Sequence, residues 1–176
     1  GNPLAAELRG LCEKERELIE QRTALLQRLK ALLGQYYRGV LDFFSDWSSP
    51  VAWRFIKRFP RPDALARAKK ETLIAFLKAN RIGLKPIWLE RIEARGEMTR
   101  WPKPGNSISL ELTVMAITAE LQALQPTIDK FDKLIAECAE KLPHTHLMQS
   151  LPGAGKRLAP ALAAITADVA CGQRDI

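Results

Sequence analysis

Between residues 108 and 142 apolar side chains recur without interruption at steps of three or four: Leu110, Val114, Ile117, Leu121, Leu124, Ile128, Phe131, Ile135, Cys138 and Leu142. An α-helix turns once in about 3.6 residues, so this row predicts one long helix with a continuous apolar edge. The opposite face changes midway, from Leu112, Ala116, Ala119 and Ala123 to Lys130, Lys133, Glu137 and Glu140. The first half is therefore expected to be covered on two sides and the second half on one. Pro126 lacks the amide donor that its turn needs and predicts a kink. Ser107 is the expected N-cap, with Glu111 close to the positive end of the helix dipole.

A second long helix is predicted over 4–33. Leu4, Leu8, Leu11, Leu18, Leu25, Leu29 and Leu32 form a heptad seam broken only by Glu15 and Arg22, and Ala5, Cys12, Ile19, Leu26 and Leu33 widen it. A stripe this broad calls for two neighbours. The helix fades towards Gly34 and Gly39. Two long helices with some seventy residues between them predict an antiparallel, coiled-coil-like pair with a subdomain inserted at its tip. The wide stripe also invites a second copy. A homodimer interface is expected to draw on Leu110, Val114, Ile117, Leu121, Leu124 and Ile128, with Leu18 and Leu25. Glu15 and Arg22 either key the register of such an assembly or turn to solvent where the seam drifts.

The stretch 36–103 is different material. Eleven of the chain's twelve aromatic residues lie in it, predicting a small separate core of short helices. Ser48-Ser49-Pro50 and Arg61-Pro62-Asp63 read as helix starts, and Asn80 with Gly83 as a helix end. A last short helix carries Ile87, Leu89 and Ile92 and stops by Gly96, and 101–105 reads as a loop.

Charge concentrates in the same place. Residues 54–103 carry fourteen Lys or Arg against five Asp or Glu, whereas the whole chain has a net charge of only +7. Such a focus attracts polyanions, nucleic acid first, by releasing counterions. Arg54, Lys57, Arg58 and Arg61 follow helical spacing and are expected on one face. Trp53-Arg54 and Arg100-Trp101 either stack unpaired bases or serve the core.

Other classes are disfavoured. No apolar run approaches the roughly 18–20 residues that span a bilayer, so no membrane partner is expected. Gly1-Asn2-Pro3 reads as a cloning remnant and not as the start of a secretory signal. Cys12, Cys138 and Cys171 are odd in number and widely spaced, which argues against a disulfide framework and for a cytoplasmic setting. His144 and His146 lack partners for a metal site, and no catalytic set or cofactor motif is found.

Leu151-Pro152-Gly153-Ala154-Gly155-Lys156-Arg157, followed by an apolar run, fits no P-loop, which needs Ser or Thr after the lysine. It fits a helix-hairpin-helix turn. Gly153 and Gly155 let the backbone approach a phosphate, and Lys156 and Arg157 add charge. Pro160 falls early in the second helix, so a purely structural turn remains the competing reading.

Three stretches carry a resemblance that covers nearly the whole chain. Residues 8–32 with "EQRTALLQRLKALL", residues 45–77 with "SDWSSPVAWRFIKRFPRPDALARAKKETLIAFL", and residues 146–164 with "HLMQSLPGAGKRLAPALAA" resemble bacterial DEDD insertion-sequence transposases. That group includes pilin-gene invertases and bridge-RNA-guided recombinases. The resemblance implies a central coiled-coil region plus the opening of the C-terminal transposase domain. It also implies DNA transposition by recombination in the bacterial cytoplasm, at the nucleoid, with DNA and a guide RNA as partners. The family's four acidic residues, expected to hold divalent metal, and its reactive serine have no counterparts here. The chain is therefore expected to be an inactive fragment without a cofactor of its own.

The expected fold is all-α: a long helix at 4–35, a basic aromatic-rich helical subdomain at 36–107, a second long helix at 108–142, and a helix-hairpin-helix at 143–176. Dimerisation and nucleic-acid backbone binding are the expected functions. The competing class is a helical protein–protein interaction scaffold whose basic surface meets an acidic protein.

Overall fold

The structure, a computed structural model, describes residues 2–144, and every regular element among them is helical. In chain order these are α1 (Pro3–Tyr36), α2 (Val40–Phe43), α3 (Pro50–Arg58), α4 (Pro62–Arg67), α5 (Lys70–Ala79), α6 (Pro86–Glu93), a 3₁₀ helix (Ala94–Thr99) and α7 (Ser107–Glu140). The two long helices appear where apolar periodicity places them. The helix-hairpin-helix at 143–176 lies essentially outside the described residues. α1 continues past Gly34 because the next turn buries Tyr36 in the core, which offsets the cost of about 1 kcal/mol for a helical glycine. Ser107 is the first residue of α7 and not its cap.

The described residues divide into two compact units, 2–21 with 126–144, and 22–125. In the first, Ala5, Leu8 and Cys12 of α1 pack with Ile135, Cys138, Ala139 and Leu142. The Cys138 thiol donates to the Leu4 carbonyl at 3.5 Å, so the start of α1 meets the end of α7. Burial, helped by nearby Glu15, pushes the Cys12 thiol up to about 11.

In the second unit Leu29 and Leu33 share a core with Leu110, Val114, Ile117 and Leu121. Arg22 donates to Gln125, whereas Glu111 lies near the far end of α1 at Tyr36, so the helices run in opposite directions here too. The short helices add the aromatic half of this core. Phe43 stacks on Phe55 at 4.7 Å, and Phe44, Trp47, Phe59, Phe76 and Trp88 surround them edge-on or tilted. Polar anchors hold the helices together: the Trp53 indole donates to the Trp47 carbonyl at 2.7 Å, Arg91 to the Phe43 carbonyl at 2.9 Å, and Arg95 to the Ala68 carbonyl at 2.8 Å. Gly39 leaves room for Met98, whose sulfur would sit 2.5 Å from any added Cβ.

Several expectations change on inspection. Glu15 is buried, and Arg22 is half-buried in a bond within the chain, so neither turns to solvent. Ile87 and Leu89 of α6 are exposed; an eight-residue helix has one inner face, and Trp88 with Ile92, four apart, take it. The left-handed residue that ends α5 is Arg81, with φ 58°, and not Gly83. The Ile82 amide bonds back to the Leu77 carbonyl and the Arg81 amide to that of Lys78, a Schellman closure. Pro126 stays inside α7 without ending it.

Leu110, Val114, Ile117, Leu121 and Ile128 are all buried by the chain itself, and Leu18, Leu25 and Leu124 are partly buried. Within the chain this seam packs against α1 and the short helices. The outer face of α7 stays uncovered instead, with Ile108 71% and Leu112 65% exposed. By length and composition alone α7 would suffice to cross a bilayer, contrary to the reading of its apolar runs. Its inner face is occupied by the chain's own core.

Candidate nucleic-acid interface

The helix α3 is built as a two-faced element. Ala52, Trp53, Phe55 and Ile56 are buried, and Arg54, Lys57 and Arg58 fill the opposite, exposed side. Burying two large aromatics anchors the helix, so its cations are presented from a rigid base. Pro50 at the first turn starts the helix, and Lys57 and Arg58 in its last turn complement the negative end of the dipole.

Among the described residues no carboxylate stands within ion-pair distance of Arg54, Lys57 or Arg58. Arg54 is oriented instead by a neutral acceptor, the Asn80 side chain, 2.7 Å from its Nε. Asn80 in turn donates to the Phe76 carbonyl, which ties the guanidinium to the end of α5. The Arg58 guanidinium rests 5.9 Å from the Phe59 ring. These three positive charges therefore remain uncompensated locally.

Arg61 does not continue their row. Phe59 and Arg61 each precede a proline and leave the helical region, Phe59 at φ −126° and ψ 74° and Arg61 in extended backbone, so α3 ends and Arg61 becomes the cap residue of α4. Its Nε lies 3.6 Å from Asp63 and 4.0 Å from Glu111. Helical spacing thus identified three members of the ridge, and two prolines detached the fourth. Gly153, Gly155, Lys156 and Arg157 lie outside the described residues.

The tryptophans separate just as clearly. Trp53 is fully buried, whereas Trp101 is 46% exposed. Arg38 lies 5.1 Å and Arg100 5.4 Å from the Trp101 ring centroid. Arg100 is adjacent in sequence, but Arg38 comes from the turn between α1 and α2, and no local pattern announces that pairing. Burial also raises the Tyr36 and Tyr37 phenols far above their ordinary range, with Glu111 adding to the effect at Tyr36. Tyr36 donates to the Pro60 carbonyl at 3.0 Å.

Among the described residues no group of three or more His, Cys, Asp or Glu side chains is placed to hold a metal ion. No protein-family model, no curated protein and no solved structure matches this chain.

Proposed function

We propose that this chain is a nucleic-acid-binding helical part of a DNA recombinase of the DEDD transposase type. The observation that carries the reading is the ridge of Arg54, Lys57 and Arg58, three exposed cations with no carboxylate in ion-pair distance among the described residues, on a helix anchored by Trp53 and Phe55. Cations left unneutralised on a rigid surface are what a phosphate backbone requires. The resemblance of residues 8–32, 45–77 and 146–164 to that family supports the same class, as does the glycine-lysine sequence motif at 151–157. DNA is the proposed partner, with guide RNA second, in a bacterial cytoplasm. No residue here is assigned to strand cleavage, and divalent metal belongs to the family's acidic domain.

Binding of a labelled duplex across a salt series tests this. Arg54→Gln, Lys57→Gln and Arg58→Gln together should lower affinity and reduce the slope of log affinity against log salt by about 2–3. An unchanged slope in a folded variant removes the ridge from the interface. Gly153→Val with Gly155→Val tests the hairpin separately.

A second reading, a protein-interaction scaffold, is favoured by the uncovered face of α7. Ile108, Leu112, Ala116, Ala119 and Ala123 follow steps of four, four, three and four and are all exposed. Through this stripe we also propose the homodimer. Preference for nucleic acid over a polyglutamate of equal charge separates the two classes, and light scattering across micromolar concentrations reads the mass.

A further inference from the structure

The ridge on α3 accounts for backbone attraction but not for the exposed tryptophan, which sits at the edge of a cavity of about 410 Å³. Trp101 is held on a segment stiffened by Pro102 and Pro104, and is therefore presented and not merely loose. Arg61 and Lys103 line the same cavity, as do the carboxylates of Asp63 and Glu111. The ion pairs there are long: Arg61 to Asp63 at 3.6 Å, Arg67 to Asp63 at 3.8 Å, and Arg61 to Glu111 at 4.0 Å. The neighbouring Tyr36 hydroxyl gives its proton to Pro60 and not to Glu111. Both carboxylates therefore keep acceptor capacity facing a space with a flat aromatic wall.

That combination is selective. An indole face suits any heterocycle, and flanking guanidiniums strengthen stacking and draw in phosphate. A carboxylate accepts hydrogen bonds only, so it rejects a base edge made of acceptors and favours adjacent N–H donors. Guanine presents two such donors side by side, N1–H and the N2 amino group; adenine presents one amino group beside an acceptor. We infer that this cavity takes a single unpaired guanine of a nucleic-acid strand, stacked on Trp101 with its donor edge on Glu111 or Asp63. Arg61 and Lys103 meet the flanking phosphates. The inference rests on the nucleic-acid reading above and goes beyond it by naming a base and its acceptors.

Fluorescence anisotropy with labelled 12-mers tests it: oligo(dT), oligo(dT) with one central dG, oligo(dT) with one central dA, and a duplex. The dG strand should bind about tenfold tighter than the dA strand, the discrimination that one good bidentate hydrogen-bonded pair supplies, since both bases stack alike. Trp101→Ala should lower dG-strand affinity about tenfold and leave the duplex unaffected, with Trp101→Phe restoring most of it. Glu111→Gln together with Asp63→Asn should erase the dG preference without weakening oligo(dT). Equal binding of dG and dA strands by a protein that still binds duplex overturns the pocket while leaving the ridge intact. GMP binding as tightly as the dG strand makes the occupant a free nucleotide and overturns the strand. Absence of binding to every probe defeats the nucleic-acid reading itself, and the pocket with it.

Discussion

Arg22 on α1 donates through Nη1 to the side-chain oxygen of Gln125 on α7 at 2.8 Å, inside a seam that only Glu15 interrupts besides Arg22 itself. The guanidinium is half-buried, and its Nε finds no acceptor among the described residues. A charge held this way tolerates loss of both partners better than loss of one. Gln125→Leu alone should cost about 1–3 kcal/mol, by leaving the guanidinium short of an acceptor. Arg22→Leu with Gln125→Leu should lie within about 1 kcal/mol of the parent. Urea unfolding of the two single variants and the double variant closes the cycle, and strict additivity would show that the pair is not coupled.

Arg81 occupies the left-handed region with φ 58° at the end of α5, where glycine is unstrained. Replacing it by glycine should stabilise the protein by about 1 kcal/mol, because the Schellman bonds of Arg81 and Ile82 use only backbone. A thermal melt reads the gain. A lower melting temperature would mean that the Arg81 side chain holds a contact worth more than the strain.

Leu121 and Leu112 lie on opposite sides of α7, one fully buried and the other 65% exposed. Leu121→Asp places a carboxylate in the chain's own core and should abolish cooperative folding. Leu112→Asp should leave helicity intact and lower the mass in solution if the outer stripe pairs two copies. Circular dichroism with sedimentation separates the cases. A folded monomer from Leu121→Asp would instead make the inner seam the subunit interface.

The Cys12 thiol is buried and pushed up to about 11, first by burial and then by Glu15 and Cys138. Its thiolate is therefore scarce at neutral pH, and alkylation there should be slow until the protein unfolds. Stability contributed by keeping this thiol neutral follows a definite sign. The folded pKa lies above the unfolded one, so the contribution is present below about 9 and is lost as pH rises towards about 11. Mass spectrometry after iodoacetamide treatment at pH 8, with and without urea, reads Cys12 directly. Rapid labelling of the native protein would show that the α1–α7 contact opens.

Tyr37 is almost wholly buried, and its hydroxyl has no hydrogen-bond partner among the described residues. Tyr37→Phe removes an unpaired polar atom while keeping the ring, so it should be neutral or stabilising by up to about 1 kcal/mol. Urea unfolding would reveal a hidden partner as a loss of stability.

Local pattern alone specifies the helices. Ten apolar residues at steps of three and four specify a long helix wherever it packs, and Pro50, Pro62 and the Ser107 region mark boundaries through local backbone rules. The shared face of Arg54, Lys57 and Arg58 on α3 was legible for the same reason, since periodicity follows from helix geometry alone. Tertiary structure decided what each face meets. It closed the seam of α7 inside one chain, buried Trp53, exposed Trp101 and brought Arg38 from the turn between α1 and α2 to its ring. It also brought Glu111 of α7 to Arg61, a cation that the two prolines around it had already turned away from the ridge. Periodicity says that an apolar stripe must be covered, but not by which partner. That choice depends on contacts between residues distant in sequence, which no local pattern records.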